Sequence, residues 1–216
     1  MSDPKRQRTD DNMSDEKELE QVQKVISSVT KVEERLEKVD VDQAKEILGI
    51  KTKYNFIKRP TYEERNKLLT EIPHFWKQVF VNHPLVGSYV TKDDEILMEF
   101  IQTFDVKFVG DDGTFKMEMT FKDNPYFSSR MLWKQVKFSE DEKDVEVTTS
   151  KLTWKDDDAN KQFKKIIFFE RFVSTDDDQT LAMIIKEEVW KNPLLFFSKV
   201  HSDVLKNVKN IYSFIT

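Results

Sequence analysis

From Ser14 to Arg59 the chain runs without a proline, and its apolar residues keep returning to one side of a helix. With Leu19 at heptad position a, the a/d seam reads Leu19, Val22, Ile26, Val29, Leu36, Ile47, Ile50, Tyr54 and Ile57, interrupted by Glu33, Asp40 and Gln43. Val25, Val32 and Val39 lie beside the seam and widen it near its middle, as in a stripe that drifts around the helix. Asp15 and Glu16 fall in the first turn, where they oppose the positive end of the helix dipole. Gly49 within the stripe costs about 1 kcal/mol relative to alanine. A helix of roughly 40 residues is about 60 Å long, more than one small domain can cover. The sequence offers no second helix of that length to fold back on it. The expectation is a helix over 14–59 that pairs with a second copy of the chain, making a homodimer.

Residues 1–13 carry no apolar period and are expected to be a disordered tail. Within it Lys5, Arg6 and Arg8 form a short basic run of the kind that serves nuclear import, although an ordinary solvated terminus looks the same. After Pro60, Thr61-Tyr62-Glu63-Glu64 reads as a capping box that starts a short helix. Pro73 opens an aromatic helix through Phe80, and Thr91-Lys92-Asp93-Asp94 caps a third running to Ile101. The period then changes to two. Phe104, Val106 and Phe108 alternate with polar neighbours, Gly110-Asp111-Asp112-Gly113 makes a turn, and Phe115, Met117, Met119 and Phe121 alternate again. Stretches near 130–138, 145–154 and 164–173 supply three more expected strands. Thr175 caps a helix through Val189, and 201–216 carries a last amphipathic helical pattern. The fold class is therefore α+β: a long N-terminal dimerisation helix, then a domain over 60–200 with an antiparallel sheet of about four or five strands covered by helices.

Seventeen Phe promise a real core, and the absence of Cys removes disulfides and thiolate metal sites, so an intracellular compartment fits. No apolar window is long enough to span a membrane. His74, His83 and His201 lack metal-ligand spacing, and with four Gly there is no phosphate-binding loop. No cofactor, metal or catalytic residue is expected. Trp76, Trp133, Trp154 and Trp190 read as core more readily than as base-stacking platforms, so direct DNA binding is expected to be weak or absent. The net charge of −5 falls entirely after Pro60, because residues 1–60 hold equal numbers of acidic and basic side chains. An acidic surface attracts basic proteins.

That acidity is clustered: Asp93-Asp94-Glu95, Asp111-Asp112, Glu140-Asp141-Glu142, Asp156-Asp157-Asp158, Asp176-Asp177-Asp178 and Glu187-Glu188. Each run can equally be a solvated turn, and Asp176–Asp178 could simply favour the start of the following helix. As binding residues the candidates are Glu187 and Glu188 first, then Asp176, Asp177, Asp178, Asp156, Asp157 and Asp158. Exposed ion pairs are worth under about 1 kcal/mol each, so such binding must come from many together and weaken with salt.

Several segments carry a family likeness: Lys53-Tyr54-Asn55, Ile72-Pro73-His74-Phe75-Trp76, Phe80-Val81-Asn82-His83-Pro84, Asp123-Asn124-Pro125-Tyr126-Phe127, and Ile185-Lys186-Glu187-Glu188-Val189-Trp190-Lys191-Asn192-Pro193. In this order over roughly 15–200, the chain resembles the SET/template-activating-factor branch of the nucleosome assembly protein family. The resemblance implies a homodimer with a backbone helix and an "earmuff" domain on each chain. It also implies a nuclear histone chaperone, shuttling with the cytoplasm, that binds core histones, chiefly H3–H4 and secondarily the other core-histone pair. Inhibition of a protein phosphatase or of a histone acetyltransferase is the alternative activity it implies. Glu187 and Glu188 occupy the acidic position of the matching motif. Members usually end in a long acidic tail where this sequence has Asn210-Ile211-Tyr212-Ser213-Phe214-Ile215-Thr216, which lowers the histone affinity expected of it. Lys161, Lys164 and Lys165 only faintly resemble the family's basic hairpin, and the region between Trp154 and Phe168 is short for it.

Overall fold

The computed structural model describes residues 4–110, 112–138, 145–175 and 179–197, with side chains from Glu18 onward. It divides into two compact units, residues 1–51 and 52–216. A single helix, α1 (Pro4–Leu69), enters the first unit and ends in the second.

Two expectations about this helix are corrected. It begins at Pro4, ahead of Ser14, and it runs through Pro60 to Leu69, so Thr61–Glu64 does not cap a new helix. An interior proline removes one backbone hydrogen bond and crowds the preceding turn. Pro60 is tolerated because it lies on the exposed side, where water can solvate the freed carbonyl. The opposite side is held down. Thr52, Asn55, Arg59, Tyr62, Asn66 and Leu69 recur at helical spacing and, with Arg65 beside them, are the residues of this stretch turned away from solvent. Arg59 Nη2 donates to Asp105 at 2.6 Å, its Nη1 to the Val106 carbonyl at 3.3 Å, and Asn66 Nδ2 to Asp105 at 2.8 Å.

In the second unit α2 (Phe75–Asn82) and α3 (Lys92–Met98) precede a four-stranded antiparallel sheet in sequential order, β1 (Ile101–Phe108), β2 (Phe115–Phe121), β3 (Met131–Phe138) and β4 (Val145–Thr149). The third expected helix stops at Met98, and Ile101 already belongs to β1. The β1–β2 hairpin has the alternation read from the sequence, pairing Phe104 with Met119 and Val106 with Met117. Gly110 (φ 74°) and Gly113 (φ 81°) take the left-handed conformations its turn needs. Trp154, expected in the fourth strand, makes only an isolated bridge to Phe127. One face of the sheet presents Phe104, Val106, Phe115, Met117, Met119, Leu132 and Val136 to the helices. Phe80 there meets Phe104 at 5.3 Å and Phe168 at 5.1 Å.

The strand expected over 164–173 is a helix, α5 (Ile167–Phe172), preceded by α4 (Asp157–Gln162). Phe168, Phe169 and Phe172 bury one face of it, a spacing that reads as a short apolar run in one dimension. Its first turn is capped from far away: Asp94 Oδ2 accepts from Phe168 N at 3.2 Å and Oδ1 from Phe169 N at 3.3 Å. The chain continues through α6 (Gln179–Ile184), a π-helical turn over Ile185–Val189, and α7 (Leu194–Phe197). The helical pattern over 201–216 lies outside the described residues.

Candidate functional site

The most prominent unsatisfied feature is the apolar face of α1. From Glu18 to Lys51 every described residue except Leu48 is exposed. The nine seam residues, Leu19, Val22, Ile26, Val29, Leu36, Ile47, Ile50, Tyr54 and Ile57, are each 43–62% accessible. Val25, Val32 and Val39 beside them are equally bare. Single exposed apolar residues are ordinary, but a continuous file of them marks an interaction surface.

The acidic clusters divide once their partners are known. Asp94 is fully buried and serves as an acceptor for Thr91 N, Thr91 Oγ1 and the first turn of α5. Burial pushes its carboxyl above the usual value, and the hydrogen bonds from Thr91, Phe168 and Phe169 only partly oppose this. Asp93 accepts from the backbone of Lys164 and Lys165 at 2.8 and 3.0 Å. Asp112 is held below the ordinary carboxylate value by hydrogen bonds from Thr114 in the hairpin turn. These three are structural.

Asp156 caps α4, its Oδ1 accepting from Ala159 N at 2.6 Å. Asp157 and Asp158 are exposed, with Lys161 Nζ 3.6 Å from Asp158. Asp176, Asp177 and Asp178 lie outside the described residues, as do the side chains of Lys5, Arg6 and Arg8.

Glu187 and Glu188 sit in the π-helical turn, where Trp190 N donates to Ile185 O at 2.8 Å, one residue wider than α. Such turns recur at functional sites because they re-aim side chains. Lys186 is buried, its Nζ 4.4 Å from the Phe115 ring centroid, while Glu187 and Glu188 face outward. Glu187 is gripped by Lys191 and by Lys186 Nζ at 3.0 Å. Burial alone would raise its pKa, yet these two lysines together bring it below the usual value. Glu188 Oε2 stands 3.3 Å from Nε2 of the buried His83, whose Nδ1 accepts from Val86 N at 3.2 Å. Nε2 must therefore carry the proton in neutral His83, and it donates to Glu188. Of the pair, Glu188 offers the freer charge to a partner.

Sequence reading missed two polar centres. Asp105 gathers Arg59, Asn66 and, at 3.2 Å, Trp190 Nε1, joining α1, β1 and the end of the π-helical turn. His83, which in one dimension suggests only packing or capping, is the other. Neither had a local signal, because Arg59, Asn66 and Trp190 lie 39 to 85 residues from Asp105 and Glu188 lies 105 residues from His83. Among the described residues no three His, Cys, Asp or Glu are placed to hold a metal ion, and no helix is long and apolar enough to cross a membrane.

Comparison with known proteins agrees with this geometry. Residues 67–198 match the family model of the nucleosome assembly protein (NAP). The chain is 31% identical over 201 residues to NAP1-related protein 1 of Oryza sativa subsp. indica, covering 84% of this chain and 77% of that protein. It is 26% identical over 202 residues to Protein SET of Drosophila melanogaster, covering 82% and 74%. The crystal structure of nucleosome assembly protein S from Plasmodium falciparum superposes with a TM-score of 0.65 at 24% identity, covering 80% of this chain and 99% of that one.

Proposed function

The chain belongs to the nucleosome assembly protein family, including its SET branch, and from that premise we propose that it is a histone chaperone acting as a dimer paired through α1. It is a binding protein and not an enzyme. The observation that carries the dimer is the bare seam, since no folded chain gains by leaving nine such residues in water.

The same seam favours antiparallel pairing. In a parallel, in-register pair Glu33 would face Glu33 and Asp40 would face Asp40 of the second copy, placing like charges in an apolar layer. Antiparallel pairing centred near Lys38 sets Leu19 against Ile57, Val22 against Tyr54, Ile26 against Ile50 and Val29 against Ile47. The polar interruptions then collect in the central layers, Glu33 against Gln43 and Leu36 against Asp40. Charge agrees: residues 15–37 carry seven acidic and four basic side chains, residues 38–60 three and six, so the two halves attract when opposed.

Histones are the partner that the family points to, with H3–H4 as the preferred pair and a nuclear setting in which Lys5, Arg6 and Arg8 serve import. Exposed carboxylates of the second unit, Glu188 foremost with Asp157 and Asp158, would meet histone Lys and Arg. Many weak exposed pairs imply binding that falls with salt. The test is capture of H3–H4 on the immobilised chain across a salt series. Binding at low salt that fades by about 0.5 M supports the reading; absence of binding, or binding indifferent to salt, overturns it.

A further inference from the structure

The sheet has two edges, and the fold treats them differently. Successive strand residues send their backbone groups to opposite sides of an antiparallel ladder. Val109 N donates to Thr114 O, so Val109, Lys107 and Asp105 turn toward β2 and Val106 turns outward. Val106 is covered: its N–H donates to Asp105 Oδ1 at 2.9 Å and its carbonyl accepts from Arg59 Nη1 at 3.3 Å. The far edge is β4, and among the described residues no strand pairs with its outer side.

Which groups of β4 face outward follows from the ladder. Ser150 N donates to Trp133 O at 2.9 Å, so by alternation Thr148 and Glu146 also face β3, opposite Gln135 and Lys137. Val145, Val147 and Thr149 therefore turn their N–H and C=O groups away from the sheet. Thr149 is anchored by its side chain, Oγ1 donating to Val173 O at 2.9 Å. Open edges are usually blunted by proline, lysine or a bulge. The strand Val145–Thr149 contains neither residue, keeps unbroken register with β3, and is β-branched everywhere except Glu146.

The side chains say what this edge fits. Val145 and Val147 lie on the core side of the ladder, opposite Phe138 and Val136, yet Val145 is 39% accessible. Glu146 and Thr148 lie on the other side, both exposed. Lys137 stands 3.7 Å from Glu146, an exposed and weak pair that another cation can replace. Residues 139–149 hold five acidic side chains and one basic, so negative charge accompanies the strand.

We propose that β4 is a docking edge for an extended basic peptide, which adds to the sheet as a fifth, antiparallel strand. Main-chain hydrogen bonds to Val145 and Val147 hold the peptide, and its small or apolar side chains extend the valine row. Alternate Lys or Arg side chains then lie beside Glu146. In antiparallel pairing, the peptide residues that join the valine row are the same ones whose N–H groups face β4. The inference does not depend on the histone reading, and its probe contains no histone sequence.

The test uses the full chain and a labelled, end-capped peptide that alternates lysine and threonine. The parent should bind it at low salt and release it as salt rises. N-methylation of the threonine amides should abolish binding, while N-methylation of the lysine amides should spare it. Val147→Pro removes an outward donor and no hydrogen bond to β3, so the sheet should persist while peptide affinity falls by about tenfold or more. Should Val147→Pro unfold, the two methylated peptides decide the matter on the parent alone. No binding by the parent, equal loss with either methylated peptide, or unchanged binding by folded Val147→Pro would each overturn the assignment. So would equally tight binding of the glutamate–threonine counterpart. A parent that sediments as four chains and falls to two in Val147→Pro would give the edge to a second copy and overturn it too.

Discussion

Asp94 reaches across 74 residues to accept the backbone hydrogen of Phe168, and so caps the first turn of α5 from a distant element. Replacing Asp94 with alanine leaves the N–H groups of Thr91, Phe168 and Phe169 without their acceptor in a buried place. An unsatisfied buried donor costs about 1–3 kcal/mol, so Asp94→Ala should lose about 2–4 kcal/mol in urea unfolding. Asp94→Asn should lose less, because it keeps one acceptor oxygen and removes a charge that burial disfavours.

How much was legible in the sequence follows from where each signal resides. The α1 seam, the Thr91–Asp94 capping box and the β1–β2 hairpin were all readable because their physics is local: a period, a cap and a turn. Phe168-Phe169 looked like strand because its helix is capped from a distant element. Pro60 looked like a stop because the anchors that carry the helix past it, Asp105 and Val106, lie in another element. The acidic clusters were visible, but not that Asp93 and Asp94 serve the backbone of another segment and are not available to a partner.

Asp105 is the second such centre. Its carboxylate accepts from Arg59, Asn66 and Trp190, and Arg65 stacks over the Tyr62 and Trp190 rings beside it at 4.7 and 5.2 Å. Removing one partner of a largely buried charged pair strands the other. Asp105→Ala should therefore cost about 2–4 kcal/mol and expose amides of residues 52–69 to hydrogen exchange, while amides of α5 stay protected.

Glu187 provides a pH signature. Its pKa is lowered in the folded chain, so the lysine contacts stabilise the fold above the ordinary value of 4.5 and are lost as pH falls through the lower folded value. The stability gap between the parent and Glu187→Gln should be full at pH 7 and close as pH drops below about 4.5. Urea midpoints measured at pH 3 to 7 would reveal it; a gap independent of pH would refute the ion-pair account.

Gly87 is required by space. A Cβ added there would stand 2.3 Å from the Val81 carbonyl oxygen, which is backbone and cannot rotate aside. Overpacking of this kind costs about 1–3 kcal/mol, so Gly87→Ala should lower the melting temperature by several degrees. It should leave the mass of the assembly in solution unchanged, since the turn it disturbs lies outside the α1 seam.

The central claim is that two copies pair along the seam of α1, and mass in solution tests it most directly. Sedimentation equilibrium at micromolar concentration should give twice the chain mass of 25.7 kDa. Val29→Glu or Ile47→Lys alone should shift the species toward one chain, and the two together should restore pairing because antiparallel register sets them opposite. A parent that sediments as a single chain would contradict the account. Single variants that remain dimeric would do the same.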